Sequence, residues 1–211
     1  MNRKKLKTVI SLFIAVLFTQ INFAQTVTIG TQVWMTKNLD VDKFRNGDPI
    51  PQAKTNAEWE AAGKNKQPAW CYYDNNPLNG EKFGKLYNWY AVNDPRGLAI
   101  EGFHIPNDNE IAELTDFLGG EDPDGFNAIG ITLKSETGWE ENGTNTSGFT
   151  ALPGGKRDIN NFYSYINLIG YWWTSTELSE NIASFFSLYL DSSEGGGTRK
   201  NIGMSVRCIK N

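Results

Sequence analysis

Residues 170–177 read Gly-Tyr-Trp-Trp-Thr-Ser-Thr-Glu. Aromatic and β-branched residues packed into so short a run describe a buried strand rather than a helix face. Side chains alternate along a strand, so Trp172 and Trp173 must point to opposite sides. One is then core, and the other meets a second layer or solvent. Immediately upstream, residues 148–157 (Gly-Phe-Thr-Ala-Leu-Pro-Gly-Gly-Lys-Arg) form a turn region rich in glycine and proline. Downstream, residues 183–190 and 203–209 are two further strand-like runs, and Gly195-Gly196-Gly197 reads as a flexible hairpin loop between them.

Working outward, Val27, Ile29, Val33 and Met35 alternate about a Gly-Thr turn and predict a β-hairpin. Thr55 with Glu58 predicts a capped helix that stops near Gly63. Asn107 with Glu110 caps a second over 108–118, where Ile111, Leu114 and Leu118 share one face. Residues 70–73 read as a short strand, 74–80 as a polar loop, and 84–92 as helix or strand. No internal repeat or low-complexity linker divides the chain. A single irregular, β-rich domain over residues 25–211 is the expectation.

The first 24 residues stand apart. Arg3, Lys4, Lys5 and Lys7 precede an apolar run over 9–18, and Ala24 precedes Gln25. This is the pattern of a cleaved signal peptide, which implies export to the periplasm, cell surface or exterior. The alternative is an uncut membrane anchor. Removing its four basic residues takes the net charge from −4 to −8. Acidity of that size argues against nucleic acid or anionic lipid as partner, and no transmembrane segment is expected in the mature chain. Two cysteines remain, Cys71 and Cys208. In an oxidising compartment an even pair predicts a Cys71–Cys208 disulfide, the alternative being two buried thiols.

Several phrases occur together: Val33-Trp34-Met35-Thr36-Lys37-Asn38-Leu39, Gly84-Lys85-Leu86-Tyr87-Asn88-Trp89-Tyr90, Gly102-Phe103-His104-Ile105-Pro106, Gly148-Phe149-Thr150-Ala151-Leu152-Pro153-Gly154-Gly155, and Ser205-Val206-Arg207-Cys208. With them the chain resembles the Fibrobacter succinogenes major paralogous domain family. That family is similar to the C-type-lectin-like fold of the formylglycine-generating enzyme group. The resemblance implies an α+β, C-type-lectin-like domain: an irregular twisted antiparallel sheet with two flanking helices and its termini close together.

The chemistry expected of that enzyme group fails on the residues. Copper-dependent oxidation uses closely spaced thiolates, and Cys208 has no neighbouring cysteine. His104 is the sole histidine, stands just before a predicted helix, and has no Gly-x-Ser-x-Gly elbow to serve. The acidic groups at Asp74, at Asp108 with Glu110, and at Glu121-Asp122 with Asp124 miss the spacing of a calcium loop. No metal or cofactor is expected. The reading is therefore an exported, non-enzymatic binding domain for a glycan or a surface protein. An exported enzyme with a site invisible in motifs, or a structural envelope component, are the alternatives. In the fold this chain resembles, recognition uses the C-terminal sheet and its loops. That places ligand contacts at Tyr163, Tyr165, Trp173, Tyr189, Asp191 and Arg199, with aromatic faces stacking on sugar and the two charges orienting hydroxyls.

Overall fold

In the computed structural model, which describes residues 25–120 and 129–211, the chain opens with the predicted hairpin, β1 (Thr26–Ile29) and β2 (Gln32–Met35). Helix α1 (Asn56–Lys64) follows. Thr55 caps it reciprocally: its Oγ1 accepts from the Glu58 amide at 3.2 Å, and the Glu58 carboxylate accepts from the Thr55 amide at 2.9 Å. Strands β3 (Trp70–Cys71) and β4 (Leu86–Tyr87) pair antiparallel. Between them, α2 (Pro77–Phe83) replaces most of the expected loop. Its start is set by Asn76, whose side chain accepts from the Leu78 amide, and by Pro77 in the first helical turn. Next come α3 (Trp89–Val92), β5 (Phe103–His104) and α4 (Asp108–Phe117), capped by Asn107 as predicted. The order then runs α5 (Ile129–Leu133), β6 (Gly154–Arg157), β7 (Tyr163–Ile166), β8 (Ile169–Glu177), β9 (Ile182–Tyr189), β10 (Ser192–Arg199) and β11 (Ile209–Lys210).

The strands make a four-stranded sheet β1-β2-β11-β5, a five-stranded sheet β10-β9-β8-β6-β7, and the β3-β4 pair. Every pairing is antiparallel except β6 with β8, so the class is α+β. Both ends of the described chain meet, because Ile209 in β11 pairs with Trp34 in β2. Among the described residues only α1 and α4 exceed eight residues, and three shorter α-helices accompany them. The run 203–209 pairs regularly only at its end; Gly203, Met204 and Ser205 make isolated bridges to Arg157, Tyr87 and Trp172. The triple glycine is no loop: Gly195, Gly196 and Gly197 lie inside β10, opposite Phe186, Phe185 and Ser184. A Cβ at 196 would lie 3.0 Å from the Phe185 ring, tighter than ordinary contact, so the ring would have to shift to admit one.

Strand β8 separates two cores. Trp173 packs with Tyr87, Trp89, Met204 and Val206, while Trp172 packs with Trp34, Phe149, Leu114 and Leu133. All seven tryptophans are buried, and their indole N–H groups are satisfied, as by Trp173 to the Tyr87 carbonyl at 2.9 Å. A polar hub ties the layers. Oδ1 of buried Asn38 accepts from Trp172 Nε1 at 2.8 Å and from Arg207 Nη2 at 2.8 Å. Arg207 also donates to the Met35, Phe149 and Thr150 carbonyls.

The expected disulfide is not formed. Cys71 and Cys208 are free, buried thiols. Cys71 is held on β3 opposite Leu86, in a cluster with Ala53, Trp59 and Tyr73, while Cys208 belongs to the core around Tyr87 and Trp173. Pairing β3 with β4 rather than with the final strand keeps them in separate clusters. The leader at 1–24 and the acidic stretch at 121–125 lie outside the described residues. Among the described residues, no helix is long and apolar enough to cross a membrane.

Candidate functional site

One face of the five-stranded sheet carries Trp172, Phe186 and Leu188 of the second core, and the other is core only at one end. Trp173 lies at the buried end of this second face. Two residues along β8, on the same side, comes Tyr171. Register places a row of side chains across the strands at that level. Tyr171 is opposite Ser187 in β9, and Ser187 is opposite Glu194 in β10. In the other direction Gly170 pairs in parallel with Gly155, which sets Lys156 beside Tyr171, and Lys156 is opposite Ser164 in β7. The row thus runs from a carboxylate at one edge, through hydroxyls, to an ammonium, roughly 14 Å at about 4.8 Å per strand.

Aromatic rings flank it. The Tyr165 and Tyr171 rings are 6.3 Å apart and those of Tyr171 and Phe185 5.9 Å, all tilted or edge-on. Tyr165 is 46% exposed, Phe185 half-buried, and Tyr171 buried between them. Burial first, with Tyr165 and Glu194 adding to it, pushes the Tyr171 hydroxyl up to about 12. It therefore stays protonated and able to donate, and it makes no hydrogen bond among the described residues. Tyr165 reaches this face because its backbone is left-handed, with φ at 67°. A bulky side chain there is disfavoured by about 1–2 kcal/mol.

Lys156 holds the charge of the site. Its Nζ lies 4.7 Å from the Tyr171 ring centre and 5.5 Å from that of Tyr165. Burial pulls its pKa down, only partly offset by Asp158. The other sequestered lysines are all tied. Lys85 pairs with Asp40, Lys200 with Glu177 and the Glu180 carbonyl, and Lys134 donates to the Leu190 carbonyl at 3.0 Å. Lys156 has no ion pair or hydrogen bond among the described residues.

Of the six residues expected to meet a ligand, this face gathers Tyr165 and, by alternation from Phe185 along β9, Tyr189, which is 39% exposed. Trp173 is a correction: it is fully buried in the first core and cannot touch a ligand. On the face that it shares with Tyr171, the tryptophan occupies the packed end. Tyr163 turns inward, its ring 5.2 Å from Tyr73 and under the Arg157 guanidinium, its hydroxyl beside Cys71. Asp191 sits in the β9–β10 turn, where its carbonyl accepts from the Gly130 amide. Arg199 lies at the opposite end of β10, near Tyr90 and Ile159. Lys156, Phe185 and Glu194 went unread. Period-two counting back from Trp173 finds Tyr171, but only cross-strand register brings Lys156 and Glu194 to its level.

A hollow of about 750 Å³ lies elsewhere, between α4 and β10. Asp108 and Asp116 line it together with the β10 run from Ser193 to Gly197, and no lysine, arginine or histidine is among its lining residues. Asp108 is already engaged, accepting from Thr174 Oγ1 at 2.7 Å to hold α4 against β8. Phe186 on its floor belongs to the second core. His104 is also structural, its Nε2 2.7 Å from the Glu110 carboxylate that caps α4. Among the described residues, no three His, Cys, Asp or Glu side chains converge to hold a metal ion.

Compared with known proteins, the chain matches the model of one family, described as the Fibrobacter succinogenes major domain, over residues 27–210. No curated protein and no solved structure matches it.

Proposed function

The chain belongs to the Fibrobacter succinogenes major domain family, and we propose that this member is an exported, non-enzymatic binding module that takes a glycan on the open face of its five-stranded sheet. The observation that carries this reading is the row Glu194–Ser187–Tyr171–Lys156, whose ammonium and tyrosine hydroxyl have no partner among the described residues while aromatic rings flank them. Sugars need such a surface: apolar C–H faces rest on rings, and hydroxyls exchange hydrogen bonds with fixed polar groups. A face with no nucleophile–base pair among the described residues suits recognition better than turnover.

Export rests on the basic and apolar start of the chain. For the architecture, a C-type-lectin-like arrangement is the finer form of the α+β class. It is supported by the meeting of β2 and β11 and by the two longer helices beside an irregular sheet.

A glycan array probed with the chain from residue 25 onward tests the function. Binding that is lost in Tyr165→Ala, with an unchanged circular dichroism spectrum, is the expected outcome. A blank array, or binding indifferent to Tyr165→Ala and to Lys156→Gln alike, defeats it. Capture of a protein partner through the same two residues would move the reading to a surface protein.

A further inference from the structure

We infer that the saccharide bound on this face carries an acidic group, a carboxylate or a sulfate ester, seated on Lys156; the inference rests on the face being the binding surface. The ammonium is half-buried over two tyrosine rings, and no carboxylate bonds to it among the described residues. Removing a cation from water without any bonded partner is unfavourable; Lys85 and Lys200 avoid it with a carboxylate and Lys134 with a carbonyl, while Lys156 has neither among the described residues. The nearest acid along the strand, Asp158, is occupied: its Oδ1 accepts from the Asn160 and Phe162 amides at 2.8 and 3.0 Å and shapes the β6–β7 loop. An anion arriving with the ligand supplies the missing partner, and a charge-assisted bond there is stronger than a neutral one.

The face also sets the direction of the ligand. Glu194 stands at the β10 end of the row and Lys156 at the β6 end. An acidic group is repelled by the first and drawn to the second, so it lies over β6 and β7, next to the exposed Tyr165 ring. Neutral hydroxyls of the next units reach the Tyr171 hydroxyl and Glu194, which accepts from them. The acidic chain as a whole offers no long-range attraction for such a ligand, and charges more than about 8 Å away are largely screened at physiological salt. Selectivity therefore comes from contact at Lys156.

Calorimetric titration with matched pairs tests this. One pair is oligogalacturonate and its methyl ester; the other is a sulfated galactan oligosaccharide and its desulfated form. The wild-type chain should bind at least one acidic member about tenfold more tightly than its neutral twin, and the pair that shows the gap distinguishes carboxylate from sulfate. Lys156→Gln should erase the gap and Lys156→Arg should keep it. Equal affinities within both pairs overturn the acidic preference and leave the binding face standing, as do array hits confined to neutral sugars. If all four ligands and the array are blank, both readings fall.

Discussion

Arg207 Nη2 donates to Asn38 Oδ1 at 2.8 Å, a bond that closes 169 residues of chain. Both side chains are buried, and among the described residues no carboxylate pairs with the guanidinium; burial pulls its pKa down to about 9, so it remains charged at neutral pH. Its carbonyl partners lie at the end of β2 and in the loop before β6. The phrases containing Asn38, Phe149, Trp172 and Arg207 thus converge on one point and hold the sheets together.

Arg207→Met should destabilise the chain by about 3 kcal/mol or more, because it takes the charged donor from buried carbonyls and leaves the Asn38 oxygen with Trp172 alone. Urea unfolding followed by tryptophan fluorescence measures it. A loss below about 1 kcal/mol would mean that the hub is dispensable.

Cys71 and Cys208 should both react with a thiol reagent, but only after unfolding. Cys71 is buried against Arg157 and Tyr163, and Cys208 is wholly inaccessible. Two thiols titrated in denaturant, and none in native buffer, is the expected count. A Cys71–Cys208 peptide in a non-reducing digest would contradict the separation of the two clusters.

Stability should fall with alkaline pH. Burial raises Cys208 from an ordinary 9.0 to about 12 and Tyr171 from 10.0 to about 12. Above the ordinary values the unfolded chain releases these protons while the folded chain keeps them, so the stabilisation present below pH 9 is lost as pH rises. Each such group contributes a slope of up to about 1.4 kcal/mol per pH unit. Urea midpoints taken through this alkaline range should decline, less steeply in Cys208→Ala. A flat profile would show these groups to be better solvated than the structure has them.

Trp173 and Tyr165 should separate stability from recognition. Trp173→Ala removes the centre of the first core and should cost about 3–5 kcal/mol. Tyr165→Gly removes an exposed ring and frees a left-handed backbone, so its stability should stay within about 1 kcal/mol of the parent. Thermal melts compare the two. Comparable losses would make Tyr165 a packing residue rather than a recognition one.

Much of the frame was legible because its signals are local. The caps at Thr55 and Asn107, the first hairpin, and the alternation of Trp172 and Trp173 each depend on a few adjacent residues. Helix α2 was missed because its signal is a cap and a proline rather than an apolar stripe. Gly195–Gly197 looked like a loop because the side chains that crowd it come from elsewhere in the chain: the Phe185 ring at Gly196, and Leu178 and Ile182 at Gly197. The candidate site was legible only in part for the same reason. Tyr165 could be chosen as an aromatic in the right sheet, but Lys156 and Glu194 join Tyr171 only through the parallel β6–β8 pairing and the β9–β10 register. Cross-strand register has no short-range signature. Trp173 was misplaced because alternation names a face and not the depth at which a side chain sits on it.

The most direct test of the binding face is NMR mapping with the tightest saccharide from the titrations. Amide and side-chain shifts should move at Lys156, Tyr165, Tyr171 and Phe185, and the Lys156 Nζ resonance should respond most to the acidic member of a pair. Shifts confined to Asp108, Asp116 and the neighbouring turn of α4, with the Lys156 row unmoved, would place the ligand in the α4–β10 hollow and contradict the assignment.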